Sequence, residues 1–183
     1  MNLHCLHYPH YRRCTAALAL VATTVACSPA LNWREVPLQG LVALLPCKPD
    51  HAERKVQLGP TEVILRMSGC EASGALYAIS HVRVADIAQL ESTKEAWRQG
   101  TLAALQATAA ITQQTPQPAT PSVGQAKATV NPEKLDGKGP DGSAVQAQLV
   151  WLTKGNDIYH VAVYGAKLRP EMTELLFSEL SLR

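Results

Sequence analysis

Aromatic side chains make up only 5% of the 183 residues, with a single phenylalanine. So sparse a set leaves little from which to build a stacking surface for bases or sugars. Charge of neither sign dominates: 17 basic and 15 acidic residues give a net charge of +2, and no run of like charges occurs. Nucleic acid and strongly acidic partners, which need clustered Lys and Arg, are not expected. None of the five cysteines forms a C-x-x-C pair, which argues against redox catalysis or a zinc site. No G-x-S-x-G elbow and no S-x-x-K pair is present to anchor a nucleophile. His51, His81 and His160 stand far apart in different predicted elements and share no metal-ligand spacing. His81 and His160 are expected to be hydrogen-bonded residues of the sheet. No metal and no cofactor is expected, and the chain reads as a protein without catalytic chemistry.

What is present begins with residues 15–27, T-A-A-L-A-L-V-A-T-T-V-A-C, which follow Arg12 and Arg13. A basic start, a short apolar run and a small-residue end are the parts of a secretory leader. The run falls short of the roughly 20 apolar residues that span a bilayer. Thr24-Val25-Ala26-Cys27 resembles the bacterial lipobox, with Thr24 where leucine is usual. That resemblance implies cleavage after Ala26 and lipidation of Cys27. The competing possibility is ordinary cleavage after Ala26, leaving a secreted chain with a free thiol at Cys27.

Cysteine parity bears on the choice. Cys5 and Cys14 leave with the leader, so the mature chain keeps Cys27, Cys47 and Cys70. Three thiols are awkward in an oxidising compartment. With lipid on Cys27, the other two can pair. Stable anchoring takes more than one acyl chain, and a mature bacterial lipoprotein typically carries three. Ser28, rather than Asp, follows the cysteine. By resemblance to the enterobacterial sorting rule, this favours the outer membrane over the inner one.

Beyond a tether at residues 27–39, in which Asn32-Trp33-Arg34-Glu35-Val36 is the first candidate for order, residues 40–183 read as one domain. Leu41-Val42-Ala43-Leu44-Leu45 is a buried strand ended by Pro46. Residues 54–58 and 61–70 flank the turn Gly59-Pro60, and residues 76–84 add a third strand to that meander. Cys47 and Cys70 then end neighbouring strands, and a bridge between them is predicted. Ser92-Thr93-Lys94-Glu95 has the spacing of a capping box. It predicts a helix from Ser92 to about Ala110, packing through Trp97, Thr101, Ala104, Leu105 and Thr108.

Residues 112–124 contain three prolines and no charge, which predicts a polar extended loop. A strand is predicted over 125–130 and a turn over 131–142. That turn contains the pattern G-x-G-x-x-G at 137–142, but a strand follows it, so it is not a dinucleotide fingerprint. Residues 145–153 and 158–164 form a hairpin about Lys154-Gly155-Asn156-Asp157. A helix is predicted over 170–182, opened by Pro170.

Strands, helix, strands, helix define an α+β class: a largely antiparallel sheet of about six or seven strands packed with two helices. The segment Leu41-Val42-Ala43-Leu44-Leu45-Pro46-Cys47-Lys48-Pro49 and the close Phe177-Ser178-Glu179-Leu180-Ser181-Leu182 resemble uncharacterised bacterial proteins with the PsbP/Mog1-like α/β/α sandwich fold. The cysteine in the opening and the proline loop depart from that pattern. The resemblance implies an accessory protein that binds another protein and has no chemistry of its own. The expectation is therefore a lipid-anchored periplasmic accessory protein with an envelope protein partner. The alternatives are a small-molecule or lipid binding module with an apolar cleft, and a hydrolase with a nucleophile beside a base.

Overall fold

The computed structural model describes residues 31–107 and 130–183. Two sheets face each other. The smaller has the order β1 (Arg34–Leu38), β2 (Leu41–Leu45), β9 (Ser181–Leu182). The larger contains β3 (Asp50–Leu58), β4 (Thr61–Ala72), β5 (Ala75–Arg83), β6 (Glu133–Lys138), β7 (Ala144–Lys154) and β8 (Asp157–Gly165). Its order is β3-β4-β5-β8-β7-β6, and every pairing in both sheets is antiparallel. Helix α1 (Leu90–Ala104) and helix α2 (Pro170–Ser178) complete the α+β architecture.

Side-chain alternation explains the layering, because successive residues of a strand face opposite sides of a sheet. Tyr77, Ile79, Tyr159, Val161 and Val163 pack with Leu41, Leu45, Met172 and Leu176, so the smaller sheet and α2 cover one face of the larger sheet. Val63, Leu65, Val82 and Ile158 instead gather around Trp97 of α1 on the other face. Covered from both sides, β8 is buried along nearly its whole length. The edge strand β3 is almost entirely exposed and carries Asp50, Glu53, Arg54 and Lys55, charges that discourage a further strand from pairing there.

The Cys47–Cys70 disulfide forms, with the two Cα atoms 6.0 Å apart. It ties the chain just after β2 to β4, and so joins the smaller sheet to the larger.

Several boundaries differ from those predicted. Residues 34–38, placed within the tether, pair with β2 along their whole length. Helix α1 starts at Leu90 rather than Ser92, after a 3-10 turn at Ile87–Gln89. Asp86 caps that turn by accepting from the Ala88 amide at 2.9 Å, while the Ser92 hydroxyl donates to the Gln89 carbonyl at 3.0 Å. An earlier cap has thus displaced the capping box. The helix also stops at Ala104 instead of running to Ala110. Gln106 adopts φ of 48°, its amide reaches Ala103 O, and that of Ala107 reaches Leu102 O. These are the two bonds of a Schellman stop, made here without the usual glycine.

Residues 133–138, read as turn, form edge strand β6. Only Leu135 is fully buried there, so no alternation showed. Gly137 lies in β6 and the other two glycines of the G-x-G-x-x-G pattern lie in the β6–β7 connection, where the Gly142 amide donates to Gly139 O at 2.9 Å. The predicted final helix ends at Ser178, since Ser181 and Leu182 pair with Val42 and Leu41. Of the strand predicted over 125–130, only Val130 is described, and it is not in a strand; the proline loop at 112–124 and Cys27 lie outside the described residues.

Candidate functional site

Polar side chains collect on one end of the large sheet, on the face that the smaller sheet covers only in part. Register places Arg66 beside His81, His81 beside Tyr159, and Arg83 beside Asp157. The side chain of His81 is 2% exposed and its Nε2 lies 2.7 Å from Asp157 Oδ1. Arg83 holds the same carboxylate with two nitrogens, Nε to Oδ1 and Nη2 to Oδ2, each at 2.7 Å. These Arg83 bonds hold the Asp157 carboxyl below the usual carboxylate range despite its burial, with His81 adding to the effect. Burial pushes the His81 imidazole below its ordinary value, against the opposing pull of Asp157.

The protonation states follow from these partners. An ionised Asp157 only accepts, so a neutral His81 carries its proton on Nε2 and donates it. Its Nδ1 is then a lone pair, buried and without a partner among the described residues. The Tyr159 ring packs against His81 with centroids 5.1 Å apart, and the Tyr159 hydroxyl donates to Gln39 O at 2.6 Å. Burial, reinforced by Asp157, pushes that phenol up to about 12. The cluster therefore links β5 and β8 to the β1–β2 turn.

The other two histidines do not join it. His51 Nδ1 lies 2.8 Å from the Ser68 hydroxyl, across β3 and β4. That spacing suits a base and a nucleophile, yet Ser68 is only 1% exposed. Ser68 lies on β4 opposite Ile79, two residues along β5 from His81, and among the described residues no hydrogen bond joins the His51–Ser68 pair to the His81–Asp157 pair. His160 is buried on the opposite face, stacked on Trp151 at 4.1 Å with Trp97 edge-on at 5.6 Å. Burial drives its pKa down to about 3, and its Nε2 has no hydrogen-bond partner among the described residues. His81 is thus the hydrogen-bonded sheet residue expected, whereas His160 is held chiefly by its aromatic neighbours.

Among the described residues, no three His, Cys, Asp or Glu side chains are grouped to hold a metal ion. No described helix is long and apolar enough to cross a membrane. An open depression of ≈ 410 Å³ lies at the other end of the sheet, lined by residues 71–76 and Tyr164.

Asp157, Arg83 and Ser68 were not picked out by the sequence. Each could have been assigned a strand and a face from alternation alone. Their partners depend on β5 lying beside β8, a pairing across more than 70 residues that no local signal announces. Comparison with known proteins finds no matching family and no matching curated sequence.

Proposed function

We propose that the protein is a lipoprotein anchored through Cys27 to the periplasmic face of a bacterial membrane, the outer membrane in preference to the inner. There it acts as a non-catalytic accessory that binds another envelope protein. The Cys47–Cys70 disulfide carries this reading. Disulfides persist in oxidising compartments, and this one uses both cysteines that follow Cys27 in the sequence. The cysteine at the lipobox is then the odd one, which lipidation accounts for. The layered α+β arrangement, with the smaller sheet and α2 on one face of the large sheet and α1 on the other, also supports the resemblance to PsbP/Mog1-like sandwiches.

The test of the role is crosslinking of intact envelopes followed by capture of the full chain and of a Cys27→Ser variant. The expected result is one reproducible partner protein that the wild-type chain retains and the soluble variant largely loses. Repeated captures without a shared partner would count against the accessory role.

A hydrolase is favoured by one observation, the 2.8 Å contact between His51 and Ser68. The burial of Ser68 opposes it. Reaction with a fluorophosphonate probe that disappears in Ser68→Ala would establish it.

A further inference from the structure

The chain length between the proposed anchor and the folded domain is short enough to fix which end of the domain meets the bilayer. Only residues 28–30 separate Cys27 from Leu31, the first described residue. Four residue steps span at most about 14 Å fully extended. The attachment point is itself held: the Asn32 amide donates to Pro46 O at 2.7 Å, and the next residue, Cys47, is bonded to Cys70. From Cys70 the register leads to Tyr77, and from Glu71 to Leu76, at the β4–β5 turn. That turn is also where the open depression of ≈ 410 Å³ lies, with Leu76 42% exposed beside Tyr164.

The opposite end of the sheet carries Arg83 and Asp157. Along β5 it lies six residues beyond Tyr77, about 20 Å at the usual strand rise. A leash of about 14 Å cannot let both ends reach the same lipid surface equally well.

We propose that a phospholipid bilayer occupies the end of the domain formed by the Cys47–Cys70 bridge and the β4–β5 turn, with Leu76 seated at the lipid interface. This rests on the anchor at Cys27. The exposed Leu76 suits that layer, where apolar side chains enter the acyl boundary. Seated so, the His81–Asp157–Arg83 end and the exposed Ile87 face away from the membrane, toward the space in which a partner moves.

The test uses the full chain, matured in a bacterial envelope and reconstituted into phosphatidylethanolamine and phosphatidylglycerol vesicles. A fluorophore is attached through an encoded keto amino acid at position 76 in one preparation and at position 87 in another, and doxyl lipids serve as quencher. Quenching at position 76 should exceed that at position 87 several-fold. A long Gly/Ser insertion between Ala30 and Leu31 should erase most of the difference while the protein still floats with the vesicles. Equal quenching at the two positions overturns the orientation and leaves the anchor standing, whereas a difference that survives the insertion supports the orientation and credits Leu76 rather than the leash with holding it. Energy transfer between labels at position 76 on different copies, with weak quenching there, would assign this end to a second copy and likewise overturn it. Failure of the unaltered protein to float condemns the anchor, and the inference with it.

Discussion

Removing the bridge is the sharpest test of how the two sheets are held together. Cys47 and Cys70 are 23 positions apart, and the bond closes the chain between them. In the chain-entropy account, a closed loop of that size costs the unfolded chain about 3.5 kcal/mol of freedom. A Cys47→Ala/Cys70→Ala variant should lose about that much stability, a large share of the roughly 5 to 15 kcal/mol typical of a domain. With a urea slope of about 2 kcal/mol/M, the unfolding midpoint should fall by about 1.7 M. The thermal midpoint should fall by about 10 °C. Equilibrium urea unfolding followed by circular dichroism, with and without a thiol reductant, is the assay. The reductant should shift the wild-type midpoint toward that of the variant and leave the variant unchanged. Should the variant and the oxidised wild type unfold within about 0.3 M of each other, the bridge does not hold the sheets together as described here.

Other perturbations follow from single contacts. Asp157→Ala leaves the buried His81 without its acceptor and Arg83 without its carboxylate, and should cost about 3 kcal/mol; Arg83→Ala, at the 67% exposed end of the same pair, should cost far less, because solvent screens that charge. Equal costs in urea unfolding would contradict the network as drawn. His160 has a folded pKa of about 3 against an unfolded value of about 6.5, so its neutral form supports the fold above pH 6.5. That support drains away as pH falls from 6.5 toward 3, by about 2 kcal/mol at pH 5. His160→Phe, which keeps the stack on Trp151, should flatten the decline, and an unaltered pH profile would refute the assignment. A Cβ on Gly137 would run into the Leu105 carbonyl, so Gly137→Ala should destabilise by about 1 to 3 kcal/mol. At Gly100, inside α1 with open space around it, alanine should instead stabilise by about 0.5 to 1 kcal/mol.

Elements with their own periodicity were legible before the structure. The run at residues 41–45, the alternation of Val63, Leu65 and Met67 against Ile64 and Arg66, and the hairpin about Gly155 each declare themselves within ten residues. Edge strands were legible only in part: residues 54–58 of β3 read as a strand, but neither its first residues nor any of β6 did. The first residues of β3 are charged and exposed, and β6 buries fully only Leu135, so neither shows the contrast between faces on which a strand prediction rests. The ends of α1 were misplaced because Asp86 offered a cap earlier than Ser92 and because a glutamine took the left-handed position where a glycine is usual. The pairing of Cys47 with Cys70 was accessible because parity and strand order both pointed to it. The His81 cluster was not, since its members meet only through a long-range pairing of β5 with β8. Topology, rather than any motif, assembles it.

The proposed acylation of Cys27 as the first residue of the mature chain can be read from mass spectrometry of the N-terminal peptide of envelope-expressed protein. The predicted result is a peptide beginning at Cys27 and heavier by a diacylglyceryl thioether and one amide-linked acyl chain, replaced by an unacylated product in Cys27→Ser. A chain that begins at Met1, or one whose Cys27 bears a free thiol, would contradict the account.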